Sequence, residues 1–329
     1  MIVPTYRDLD ESLRELSLRL DALGPSSTPD DLAALRESYR AARAPLEAAD
    51  AFAFGPAVDL GSSTELDSFP IDAAQLDNAL AGAAELTPQS IGKLRPNTRG
   101  LHAIEYLLFP EDDVARELAL LDDSADGARR RLYIKVAGSL AARAGEALYR
   151  AWADEPGGYG RRFAEPGKPD SVLASAQPGI DMLLMEAVFL SEHVADLELG
   201  RPRRRLGAAE PVELAPRESE RAGMALADVH ANVRGMWQVY CAGRGSGDVA
   251  SISRLVRAKR PDTDARVLAA FDEVELAVGE LPEVPSESAV DAQTVERAFA
   301  GLKNLRHLLA TEVLGALGSS LALDLRDGD

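Results

Sequence analysis

His102 and Glu105 stand three residues apart in the run Gly100-Leu101-His102-Ala103-Ile104-Glu105-Tyr106-Leu107-Leu108-Phe109. On a helix that spacing projects both side chains from one face, where an imidazole and a carboxylate can ligate one metal ion. Spacing alone is a weak signal. With 4 His and 54 acidic residues in 329, about 0.7 His-x-x-acid pairs arise by chance. The chain holds a second pair, His193 and Asp196, in ordinary helical sequence, where a surface or capping role is expected. What sets His102 and Glu105 apart is their company: two ionisable groups inside an otherwise apolar segment need partners. Either a metal supplies them or the two groups satisfy each other as a structural hydrogen-bonded pair.

Other chemistries find little support. Cys241 is alone, so one chain can build neither a disulfide nor a four-thiolate zinc site nor an iron–sulfur cluster. No HExxH and no G-x-S-x-G nucleophile elbow occurs. The residues three before each histidine are Arg99, Leu190, Ala227 and Asn304, none acidic, which argues against the Glu-x-x-His pairs of di-iron carboxylate bundles. His230 and His307 read as surface or core residues, and Trp237 with Tyr240 as helix packing. Asp327 and Asp329 read as a solvated tail.

The elements that must position the His102 segment are helical. Leu9, Leu13, Leu16 and Leu20 form an apolar stripe, Thr28-Pro29 caps a helix running to about Asp50, and the sequence from Gly55 to Pro70 reads as an irregular connection. Helix resumes near Asp72. A short helical segment spans 97–109 and is closed by Pro110. Leu132, Val136, Leu140, Ala144, Leu148 and Trp152 repeat every four residues along a long helix, and residues 173–199 form another, with Leu183, Val188, Leu190, Val194 and Leu197 as core candidates. After a Pro-, Gly- and Arg-bearing stretch that includes Arg203–Arg205, helices are expected around 217–242, 248–258, 263–281 and 291–315. Strand signals are nearly absent. The expectation is an all-α protein of two up-and-down, four-helix-bundle-like domains, residues 1–200 and 217–329, joined by a linker at 201–216.

Composition bounds the partners. The net charge of −18 argues against nucleic acid and against a polybasic membrane anchor. A 46% hydrophobic content with only 5% aromatic residues points to Ala- and Leu-rich helical cores. No apolar run of about 20 residues is present, and the first residues lack the basic and apolar regions of a signal peptide.

The Gly100–Phe109 run resembles the GxHxxE motif of the imelysin-like family. Three further stretches agree. Residues 38–56, with Ala42-Arg43-Ala44-Pro45 and Phe52-Ala53-Phe54-Gly55, are similar to the family's second-helix signature. Phe69-Pro70-Ile71-Asp72 is similar to its Trp-Pro-Ile/Leu-Asp element, and the chain end, from Leu317-Gly318 to Asp327-Gly328-Asp329, to its closing residues. The departures are Tyr39, Leu46 and Phe69 in place of other residues, and Asp50 where the family carries Glu.

This resemblance implies two helical bundles with a site near their junction, and an exported, often lipid-anchored protein of the periplasm or outer membrane that takes part in iron uptake. Membrane contact would then be through a lipid anchor only. His102 and Glu105 would be the ligands of iron or of another metal, zinc and calcium included. The resemblance sets Arg43 and Asp50, two turns apart on one helix face, beside the motif helix together with Gly100. Arg43 would hold Glu105 ionised and oriented, with Glu47 a weaker candidate on a neighbouring face. The partners implied are a metal ion or metal complex and a protein of the uptake system. The alternatives are a metallopeptidase with Glu105 in the catalytic role, or a non-catalytic bundle that docks a protein or a haem-like ligand. A zinc peptidase of the common type needs two His one turn apart and a separate general base, and no second histidine lies near His102 in sequence.

Overall fold

The computed structural model describes residues 1–110, 120–153, 157–200, 218–242, 250–281 and 292–319. Leu9, Leu13, Leu16 and Leu20 are all buried along α1 (Ile2–Ala22). Helix α2 (Pro29–Ala49) starts from a reciprocal cap. The Thr28 side chain accepts from the Asp31 backbone N–H at 3.2 Å, and the Thr28 N–H donates to Asp31 Oδ2 at 2.8 Å. Pro45 lies inside α2 and leaves the Ala41 carbonyl without its usual helical donor.

The 55–70 connection is more regular than its sequence suggests. Two short helices, α3 (Pro56–Asp59) and α4 (Ser62–Leu66), form there, each preceded by a glycine at positive φ, Gly55 at 56° and Gly61 at 62°. Helices of four or five residues are too short to display a 3.6-residue period, so composition alone mimics a loop. Next come α5 (Ala73–Ala81), α6 (Pro88–Ile91) and α7 (Leu101–Leu108), the last carrying His102 and Glu105.

Helix α8 (Ala125–Trp152) corrects the strict four-residue stripe. Its buried face includes Gly127, Arg131, Ile134, Gly138, Ala141, Gly145, Leu148 and Trp152, alternating steps of four and three. Each four-residue step overshoots a turn by about 40°, which carries Leu132 out to 43% exposure. Gly138 and Gly145 face α1: a Cβ on either would meet Leu20 Cδ1 at 2.4 Å or Leu13 Cδ1 at 2.7 Å.

After α9 (Tyr159–Ala164), α10 (Ala176–His193) runs into a π-helical turn, Val194–Leu199. The wider turn shifts the register. Val194, Ala195, Glu198 and Leu199 are buried, whereas Leu197, expected in the core, is 38% exposed. Helices α11 (Ala225–Cys241), α12 (Ile252–Lys259), α13 (Pro261–Gly279) and α14 (Ala292–His307) follow, the last continued by a π-helical turn at Leu308–Val313 and by α15 (Leu314–Leu317). Trp237 packs edge-to-face on Phe271 with ring centroids 5.2 Å apart.

The described residues contain no strand, and the fold is all-α. Helix α1 lies against α2 and α8, α7 against α8, α13 against α14, and α10 against α11 and α14. Helix α11 packs directly on α2. Gly235 makes that approach close, because a Cβ there would sit 2.3 Å from the Ala48 carbonyl oxygen. One continuous apolar cluster runs through both groups of helices. The expected linker at 201–216, its Arg203–Arg205 run, and Asp327, Gly328 and Asp329 lie outside the described residues.

Candidate metal centre

The site is built around the start of α7. Gly100 adopts φ 79°, and a Cβ there would lie 2.8 Å from both the Glu65 and the Leu66 carbonyl oxygens. Only glycine fits on both counts. The contact seats α7 against the end of α4 and brings Asp67, the next residue, beside His102. His102 and Glu105 are 2% and 3% exposed. As the spacing predicted, they meet: His102 Nδ1 is 3.1 Å from Glu105 Oε2. His102 Nε2 lies 3.1 Å from Asp67 Oδ1, but off the line of an acceptable hydrogen bond, so this buried nitrogen has no aligned partner. The Phe69 ring walls the imidazole at a centroid distance of 4.9 Å.

Glu105 is held at both oxygens. Oε2 faces His102, and Oε1 accepts the Ala222 backbone N–H at 3.0 Å. The Ala222 carbonyl in turn accepts from Arg40 Nε at 3.0 Å. The segment leading into α11 is thereby clipped to α2 and α7.

Arg43 does not serve Glu105. Its fully buried guanidinium donates to Asp228 Oδ2 from Nε at 3.1 Å and from Nη2 at 2.9 Å, and also to Asp67 and Glu47. Asp67 stands between Arg43 and the motif helix and shares the guanidinium with Glu47 and Asp228. Glu47, the weaker candidate by sequence, is firmly bound: Asn232 Nδ2 donates to its Oε2 at 2.9 Å. Asp50 is half-buried, with a carboxylate oxygen near Glu47 and Asp67.

Three groups of donors converge. In each of Asp67/His102/Glu218, Glu47/Asp50/Asp67 and His193/Glu198/Glu218, one ligand atom per residue lies within 4.8 Å of the others. Asp67 joins the first two groups and Glu218 joins the first to the third. His193, expected to be a surface residue, is exposed and yet belongs to this chain of donors; its sequence partner Asp196 instead pairs with Lys303 at 2.8 Å. His230 and His307 belong to none of these groups.

The electrostatics follow from burial and from an excess of carboxylates. Burial raises Glu47, Asp50 and Asp228 above the usual carboxyl range, with Asp67 adding to Asp50. Glu218 is pushed up to about 8 by burial and by Asp67. Burial would raise Asp67 too, but Arg43 and His102 hold it well below the usual range. Burial pulls His102 down, and the carboxylates of Asp67 and Glu105 outweigh it, lifting the imidazole to about 9. Around Arg43 and His102 stand the carboxyl groups of Glu47, Asp50, Asp67, Glu105, Glu218 and Asp228. An added cation would relieve that imbalance. The donor set, mostly carboxylate oxygen with an imidazole, suits iron and similar borderline-to-hard cations.

Sequence reasoning missed Asp67, Asp228, Glu198 and Glu218. Asp67 lies in the Gly-, Ser- and Thr-rich connection two residues before Phe69, and only its place beside the Phe69-Pro70-Ile71-Asp72 element pointed to it. The other three are distant in sequence, with no spacing that links them to His102.

The imelysin family model matches residues 2–311. Iron-regulated protein A from Synechococcus elongatus is 26% identical over 287 residues, 86% of this chain and 73% of that protein. Two solved structures share the fold. One from Parabacteroides distasonis, assigned as an iron-regulated protein A precursor, superposes with a TM-score of 0.77 at 19% identity, covering 97% of this chain and 91% of that one. An imelysin-like protein from Psychrobacter arcticum gives 0.69 at 16% identity, covering 97% and 92%.

Proposed function

The chain belongs to the imelysin family, and on that premise we propose that it binds a metal cation, iron by preference, in the course of bacterial iron uptake. The ligands are His102 Nε2 and the carboxylates of Asp67 and Glu218, with Asp50 close by. The observation that carries this reading is His102 Nε2, buried and without an aligned hydrogen bond, directed into a group of carboxylate oxygens. Glu105 acts through the imidazole: its contact with Nδ1 orients the ring toward the cation, as outer-shell carboxylates do for ligating histidines. The similarity to a protein named for iron regulation supports iron as the cargo. We place the protein outside the cytoplasm, in the periplasm or lipid-anchored at the outer membrane, handing its metal to a protein of an uptake system. No helix among the described residues is long and apolar enough to cross a membrane.

Peptidase chemistry fits the site less well. A general base must be free to take a proton from water, whereas both oxygens of Glu105 are engaged by His102 and Ala222.

Titration of the metal-free protein with Fe(II) under anaerobic conditions, and separately with Zn(II), tests the proposal. Saturable binding in the wild type, with at least one equivalent lost in a His102→Ala variant that keeps its helical content, is the expected result. Equal binding by the wild type and His102→Ala would overturn it.

A further inference from the structure

We infer that the site takes two cations rather than one, with Glu218 as the shared carboxylate between an inner position at Asp67 and His102 and an outer position at His193 and Glu198. This rests on the metal-binding reading for the inner position only. The outer group stands on its own geometry: one ligand atom each from His193, Glu198 and Glu218 lie within 4.8 Å of one another.

Two features of the chain make the grouping more than proximity. His193 and Glu198 are five residues apart. On a regular α-helix that spacing turns side chains about 140° away from each other. The π-helical turn at Val194–Leu199 adds a residue to the turn and brings positions i and i+5 onto one side. Second, Glu218 is flanked by imidazoles on both sides, and the inner one presents the buried, unaligned Nε2 of His102 to the group that Glu218 completes. A carboxylate between two nitrogen ligands is how adjacent metal positions share one bridging oxygen group.

Burial also grades along this line. His193 is exposed, Glu218 is half-buried, and His102 is 2% exposed. An outer cation would have a solvent-facing imidazole, whereas the inner one would be held by a buried imidazole. The outer group, an imidazole with two carboxylates, suits the same borderline divalent cations as the inner one, so a single ion type can occupy both.

Zn(II) binding to the full chain at physiological ionic strength, measured by calorimetry and by metal content after dialysis, separates the possibilities. The expected results are two equivalents for the wild type, one for His193→Ala, one for His102→Ala, and a loss of affinity at both positions for Glu218→Gln. His193 is exposed, and an unchanged unfolding midpoint checks that its replacement leaves the fold intact. One equivalent in the wild type, lost in His102→Ala and unaffected by His193→Ala, overturns the outer position and leaves the proposed function standing. One equivalent lost only in His193→Ala overturns the inner position instead. No bound metal in the wild type overturns both.

Discussion

Asp67 Oδ1 is shared between Arg43 Nη1 and His102 Nε2, so one carboxylate oxygen links the buried cation of α2 to the imidazole of α7. Arg43 also neutralises Glu47 and Asp228. Removing its charge would leave three buried carboxylates facing one another. We expect Arg43→Met, which keeps much of the side chain's length, to cost about 3–5 kcal/mol of stability in the metal-free protein, the range for breaking a buried ion pair from one side. Urea unfolding monitored by circular dichroism measures it. A loss below about 1 kcal/mol would mean that the cluster is solvated like a surface pair.

The same charges set a pH dependence. In the metal-free protein His102 should titrate near 9 by NMR of the imidazole nitrogens. A folded-state value above the unfolded one, about 6.5, means that protonated His102 stabilises the fold. That contribution is complete below about 6.5 and disappears as pH rises through 9. Asp67 works in the opposite direction. Its lowered value gives stability above about 3.9 that is lost on acidification through the folded-state value. The metal-free protein should therefore weaken on the alkaline side between these two histidine values, and His102→Gln should flatten that limb. A His102 titration at or below its ordinary value would contradict the geometry.

Glu105 distinguishes a positioning role from direct ligation. Glu105→Gln retains an oxygen for the Ala222 N–H and a polar partner for His102 Nδ1, but loses the charge. A ligand-orienting role predicts unchanged metal stoichiometry with affinity reduced about 10- to 100-fold. Loss of a full equivalent in a variant that keeps its unfolding midpoint would make Glu105 a direct ligand.

What could be read in the sequence divides along the range of the interaction. The Thr28–Asp31 cap and the His102–Glu105 contact each lie within one helical turn, and both form. The α1 stripe is equally local. The partners of Arg43 are not legible in the sequence, because Asp67 arrives from 24 residues away and Asp228 from 185. Glu218 joins the site only through tertiary packing. The π-helical turn at Val194–Leu199 has no signature in apolar spacing, so the sequence alone puts Leu197 in the core and gives His193 a surface role.

The packing of α11 on α2 offers the most distant handle on the site. Helix propensity alone predicts that Gly235→Ala, in the middle of α11, would stabilise the protein by about 1 kcal/mol. The structure predicts the reverse, since the new Cβ would meet the Ala48 carbonyl oxygen at 2.3 Å, and a backbone atom cannot swing away as a side chain can. The two helices would have to separate. Asp228 and Asn232 lie on α11 within two turns of Gly235, and they hold Arg43 and Glu47. Separation would loosen the carboxylate cluster, so Gly235→Ala should lower both the unfolding midpoint and metal affinity while touching no ligand. Gly315→Ala in α15, where a Cβ meets nothing within 4 Å, is the matched control and should be neutral to stabilising. If Gly235→Ala behaved like Gly315→Ala in thermal unfolding, the close contact between α2 and α11 would not exist in solution.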